Sequence, residues 1–124
     1  MIAIDTSSLS AYLSGESGKD VLEVDLALQQ RQGAIPPVVL SEILSDPKIS
    51  RDVRNLLSSI PTLPLLDGYW ERCGLLRAKL IAAKHKTPLA DTLISQSCID
   101  HRTPLITRDA DFRVIERYSD LKLL

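Results

Sequence analysis

The chain opens on Ile2-Ala3-Ile4-Asp5-Thr6-Ser7, a short apolar run that ends in an acid. Three apolar residues without polar alternation read as a strand buried on both faces, the pattern of a parallel sheet. An acid directly after such a strand is out of place unless it is paired or holds a cation, because an isolated carboxylate is costly to desolvate. The juxtaposition recurs near the other end. Pro104-Leu105-Ile106-Thr107 is a second short apolar run, leading into Arg108-Asp109-Ala110-Asp111-Phe112. Two more acids lie among apolar residues: Glu42 in Pro37-Val38-Val39-Leu40-Ser41-Glu42, and Asp91 in Leu89-Ala90-Asp91-Thr92-Leu93-Ile94.

Working outward, the segments between these runs read mainly as helices. Ser7 to Leu13 forms one, and Lys19 to Gln32 a second, with Val21, Val24 and Leu28 on one face and Gly33 as its stop. Ala34-Ile35 is a very short strand; Pro36-Pro37 then opens a helix from Val38 to Leu44 that carries Glu42. Asp46-Pro47 opens another, through Ile49, Val53, Leu56 and Leu57. Thr62 to Leu66 is strand-like, with Pro64 marking an edge or an end. The strongest helix runs from Asp67 to Lys84, its stripe formed by Tyr69, Cys73, Leu76, Leu80 and Ala83. Pro88 to His101 carries Asp91 in its first turn, where the helix dipole favours the ionised acid. A short helix over Asp111 to Glu116 and a strand from Leu121 to Leu124 complete the chain.

This alternation predicts an α/β fold, a central and mainly parallel sheet of about four to five short strands flanked by helices on both faces. Ligands in such sheets bind beyond the carboxyl ends of the strands, where Asp5 and Asp109 fall. With 124 residues the chain has the length of one domain, residues 1–124, built around one core. Its composition, 44% hydrophobic and 25% charged, is that of a soluble globular protein, with neither a membrane span nor the basic, apolar start of a signal peptide. Cys73 and Cys98 lack metal-ligand spacing and read as core thiols of a cytoplasmic protein.

The net charge of −1 conceals an asymmetry. Residues 1–66 hold 5 Lys/Arg against 8 Asp/Glu, whereas residues 67–124 hold 10 against 8. If the motif acids are neutralised by a cation, the remaining surface is basic, and most of it comes from the C-terminal half: Arg72, Arg77, Lys79, Lys84, Lys86, Arg102, Arg108, Arg113, Arg117 and Lys122. Such a surface suits a phosphate backbone. Convergence of the acids would make a cage for a hard divalent cation, which takes oxygen ligands. Like-charged carboxylates brought together should also raise one another's pKa.

In order and spacing, the four motifs resemble those of the PIN domain family (PilT N-terminal domain nucleases), especially its single-domain VapC-like toxin branch. The resemblance covers residues 2–112. It implies an α/β/α sandwich and Mg²⁺- or Mn²⁺-dependent endoribonuclease activity. Residue by residue, it implies Asp5 as the first metal ligand with Ser7 bonded beside it, Glu42 as the ligand on a helix, and Asp91 as the third. Thr107-x-Asp109-x-Asp111-Phe112 is similar to the fourth motif; Asp109 is nearer the strand end and Asp111 secondary. Thr107 either orients Asp5 or packs in the strand. The resemblance further implies an antitoxin partner, which could present an Arg to the acids, and a homodimer; Val53, Leu56 and Leu57 supply apolar surface for the latter.

Two other readings compete. A receiver- or phosphatase-type domain would use Asp5 as a nucleophile, but a phosphatase wants a second Asp where Ser7 stands. A PIN module without toxin function or catalysis would bind RNA or a protein partner. Elsewhere, His85 and His101 have no ligand partners at suitable spacing, Ser7 or Ser8 is expected to cap the first helix, Tyr69 to lie in the core, and Trp70 in the core or at a dimer contact.

Overall fold

The computed structural model describes residues 1–124. Its elements run β1 (Ile2–Ile4), α1 (Thr6–Leu13), α2 (Lys19–Gln29), β2 (Gly33–Ala34), α3 (Pro37–Leu44), α4 (Arg51–Ser59), α5 (Tyr69–Ala82), α6 (Leu89–Asp100), β3 (Leu105–Ile106) and α7 (Phe112–Tyr118). The three strands form a parallel sheet in the order β2-β1-β3. β1 is therefore central, with Ala3 opposite Ala34 on one side and Leu105 on the other. Successive side chains of a strand point to opposite faces. Ala3 and Ile4 are both fully buried, as are Leu105 and Ile106, so helices cover both faces as the apolar runs require. Close approach of β2 depends on Gly33: a Cβ there would stand 3.1 Å from Leu28 and 3.2 Å from Ile4.

The two outer strands expected from sequence shrink to single bridges, Ile35 with Thr62 and Leu105 with Leu123. Both are parallel and extend the sheet to five segments. In the first, Ile35 N donates to the Pro61 carbonyl and Leu63 N to the Ile35 carbonyl, and the pairing goes no further. In the second, Lys122 and Leu124 face Leu105, while the outward N–H groups of Leu121 and Leu123 are satisfied by Ser119 Oγ and Glu116 Oε2.

Helix boundaries move for equally local reasons. α2 stops at Gln29, and Arg31 takes a left-handed conformation (φ 54°) before the glycine is reached. α4 begins after Ser50, whose hydroxyl accepts the Val53 N–H, while the Asp46 side chain accepts from Lys48 N in a turn of its own. The Tyr69, Cys73, Leu76 and Leu80 stripe of α5 is buried as expected, with Ala83 just beyond the helix end. Tyr69 donates its hydroxyl to the Leu93 carbonyl of α6, against which α5 packs. Trp70 is 63% exposed and so is not a core residue. Leu57 joins the core and Val53 and Leu56 pack against it, so α4 does not supply the expected uncovered apolar surface; large exposed side chains lie instead at Leu22, Leu26 and Leu75. Both cysteines are free and buried. No helix is long and apolar enough to cross a membrane.

The core predicts a contrast within one helix. Leu80 is fully buried and Leu75 is 72% exposed. Leu80→Ala should lower unfolding free energy by about 2–5 kcal/mol through lost burial and a residual cavity. Leu75→Ala should change it by no more than about 0.5 kcal/mol. Denaturant midpoints of the two variants check this.

Candidate metal centre

The β1–β3 ladder builds the site. Asp5 N donates to the Ile106 carbonyl at 3.0 Å, so the residues leaving both strands, Asp5 and Thr107, emerge side by side. Thr107 Oγ1 donates to Asp5 Oδ2 at 2.7 Å, and Ser7 Oγ donates to the same oxygen at 2.7 Å. Asp5 is 3% exposed, and Oδ1 receives no bond from the protein. Although Asp5 is the N-cap residue of α1, its side chain does not cap the helix. Neither serine caps it as expected: Ser7 faces Asp5, and Ser8 donates to Asp20.

Thr107 has a second role. Its Oγ1 accepts the Asp109 N–H at 3.0 Å, and Asp109 Oδ1 accepts the Asp111 N–H at 2.9 Å. These two side-chain-to-backbone bonds shape the turn from β3 into α7 and leave the second oxygen of Asp109 without a protein donor. Asp91 approaches from the first turn of α6. One carboxylate oxygen each from Asp91, Asp109 and Asp111 lies within 4.8 Å of the others. Glu42, on α3, is exposed and outside this triad; Thr6 Oγ1 holds its Oε1 at 2.6 Å. Asp5 also lies outside the triad. The expected preference for Asp109 over Asp111 is thus not a choice the geometry makes, since both stand beside Asp91.

The electrostatics concentrate on Asp91. Burial, and then the charges of Asp109, Asp5, Glu42 and Asp111, push its pKa up to about 6. Asp91 stands in the first turn of α6, where the helix dipole favours the ionised form, yet burial and like charge prevail. Every other motif acid acts on Asp91, so all five face one region even though only three meet closely. None of the five forms a salt bridge with Lys, Arg or His. Such a set of converging oxygen ligands without a protein cation fits a hard divalent ion.

Residues not singled out by sequence complete the surroundings. Thr6 positions Glu42, and its only signal was its place beside Asp5. Arg108, read as free basic surface, is tied down. It forms a two-pronged pair with Asp20 (2.9 and 3.1 Å), reaches Glu16 at 3.2 Å and donates to the Ser17 carbonyl. Asp20 is held below the usual carboxylate range, chiefly by Arg108, although burial opposes the shift. Ser95, one helical turn beyond Asp91, is fully buried and its hydroxyl has no partner. His101 contacts the Pro64 carbonyl, remote from the acids in its bonding, and His85 lies against Tyr118.

Known proteins share this arrangement of elements. The chain is 30% identical to VapC ribonuclease Mb1587 of Mycobacterium bovis and to ribonuclease VapC11 of Mycobacterium tuberculosis, over 98% of its own length and 96% of theirs. It superposes on a toxin–antitoxin complex chain from Klebsiella pneumoniae with TM-score 0.68 and 25% identity, covering 90% of each chain. It also matches the fold of a chain of VapBC2 from Rickettsia felis, bound to a promoter DNA fragment, with TM-score 0.72 and 20% identity over 100% of this chain and 98% of that one. The model of the PIN domain family matches residues 2–118, and the chain belongs to that family.

Proposed function

We infer that this chain, as one PIN-type domain over residues 1–124, is a divalent-metal-dependent endoribonuclease and the toxin of a VapBC-type pair. The observation that carries this reading is the meeting of Asp91, Asp109 and Asp111 within 4.8 Å, with no protein cation to neutralise them. The ribonuclease relatives support the activity, and the toxin–antitoxin structures support a small antitoxin as partner. RNA is the proposed substrate, the cytoplasm its place of action, and a homodimer its form.

Asp91, Asp109 and Asp111 would hold Mg²⁺ or Mn²⁺, with Asp5 and Glu42 completing the charge around it. A bound ion of this class supplies a nucleophile from water and offsets charge on the phosphate being cleaved. The chain's own groups do the aiming. Ser7 and Thr107 fix the Asp5 carboxylate, Thr107 also fixes the turn that carries Asp109, and Thr6 restrains Glu42. Asp91 is half-buried on a rigid helix, which limits reorganisation. A nucleophilic role for Asp5 is disfavoured, because Oδ2 already accepts two bonds and the residue is buried. An acid–base histidine pair is likewise disfavoured: only His85 borders a cavity with one of the acids, Asp111, while His101 bonds elsewhere.

The chemistry is checked by product ends. Water attack should leave a 5′-phosphate and a free 3′-hydroxyl, and a 2′-deoxy substitution at the scissile position should not abolish cleavage. EDTA should stop the reaction and Mg²⁺ or Mn²⁺ restore it. Asp91→Asn should lower kcat/KM on the order of 10²-fold or more, as when a charge-stabilising group is lost. Cleavage in EDTA, or 2′,3′-cyclic ends on mass spectrometry, would contradict the assignment.

A second expectation concerns stability. The folded-state pKa of Asp91 is about 6 against an ordinary 3.8, so the native protein binds the extra proton between those values. The stabilisation is fully present below about pH 4 and lost as pH rises through 6. Asp91 is only half-buried, so solvent screening keeps this loss well below that expected of a fully buried acid. In EDTA, thermal melts of the wild type should therefore decline across this window. Asp91→Asn should be more stable than wild type at pH 7 and gain less from added Mg²⁺. An identical decline in the variant would assign the effect to other groups.

A further inference from the structure

Beside the acid cluster lies a cavity of about 510 Å³ whose wall includes Thr107, Arg108, Asp109, Arg113, Glu116 and Arg117. Two of these residues, Thr107 and Asp109, also belong to the acid site, so the two spaces adjoin across the turn from β3 to α7. The charges of the cavity are unevenly committed. Arg108 is neutralised by Asp20 and Glu16. Glu116 directs Oε2 to the Leu123 N–H. Arg113 and Arg117 are exposed and form neither a salt bridge nor a side-chain hydrogen bond. They stand four residues apart on α7, on one face, where like charges mildly destabilise a helix. Glu116 and Asp109 share the cavity wall, and the helix end favours a cation at Arg117, but neither arginine is closed off by an ion pair.

We propose that Arg113 and Arg117 form a subsite for the phosphodiester backbone of single-stranded RNA adjoining the scissile bond. The inference rests on the nuclease reading and adds to it where the strand lies. A strand presenting one phosphate to Asp91, Asp109 and Asp111 carries further phosphates at fixed covalent spacing; a second cavity beside Asp111 offers lysines, Lys84 and Lys86, whereas this one offers two unpaired guanidinium groups. Guanidinium groups bind phosphate oxygens in two-pronged fashion, which lysines do not. The pair also performs an electrostatic task. The acids repel a polyanion, and two cations on α7, the helix that starts directly after Asp111, hold it in place without neutralising the carboxylates themselves.

The test measures RNA binding by fluorescence anisotropy across a salt series, with the full chain carrying Asp91→Asn to suppress cleavage and a mixed-sequence single-stranded RNA as probe. Adding R113Q/R117Q should weaken binding about tenfold or more and reduce the slope of log K against log salt by about 1.4, since each phosphate contact on a single strand contributes about 0.7. R51Q/R54Q removes the same charge from exposed positions on α4 and should leave both quantities nearly unchanged. Equal effects of the two double variants would overturn the subsite, reducing it to net charge. Unchanged RNA binding in R113Q/R117Q, with loss of binding to an acidic peptide, would overturn it in favour of a protein-docking role. Cleavage by the otherwise wild-type protein separates the two levels of inference. Cleavage with no change in RNA binding on R113Q/R117Q sinks the subsite alone; no cleavage, but an arginine-dependent slope, supports the subsite and sinks the nuclease.

Discussion

The parallel pairing of β1 with β3 is the constraint on which the rest of the site depends. It joins the second residue block of the chain to residues more than a hundred positions later, and its last rung places Asp5 beside Thr107. From there, the polar structure follows by short steps. Thr107 links the two strand ends by donating to Asp5 and accepting from Asp109, and Asp109 in turn accepts from Asp111. One hydroxyl thus couples the position of a buried acid to the shape of an exposed turn. A side chain that could only donate or only accept would serve one of the two functions.

The site is graded in solvation as well as in position. Asp5 is buried, Asp91 and Asp109 are half-buried, and Glu42 and Asp111 are exposed. Asp91 is partly buried and has no hydrogen-bond donor, and desolvation and like charge both raise its pKa. The buried Asp5 is relieved by two hydroxyl donors, while the exposed acids retain water. The Arg108 pairs lie outside the acids and brace the turn between Thr107 and Asp109 against the start of α2 without placing a cation in the site.

The local patterns were readable before the structure. Apolar runs ending in acids identify strand ends, and the α5 stripe identifies its buried face, because both depend on residues close in sequence. The outer strands are less legible: whether Thr62 and Leu123 make ladders or single bridges depends on how far each segment runs alongside its neighbour, which local sequence does not state. The equal standing of Asp109 and Asp111 arises from an Asx-type turn that spacing alone does not specify. Least legible were partners across the fold, such as Thr6 with Glu42 and Arg108 with Glu16 and Asp20, since sequence periodicity says nothing of which exposed side chains meet.

The central position of β1 bears on the order of events during synthesis. The first strand made must wait for Leu105 and Ile106 before its second edge is paired, and such long-range closure is slow to form. Until then Asp5 lacks Thr107, and Asp91 lacks both Asp109 and Asp111. A chain released early from the ribosome would carry the first three motifs in an unfinished sheet. The acid cluster is thus a late product of folding, absent until the fourth motif has joined the sheet that the first motif begins.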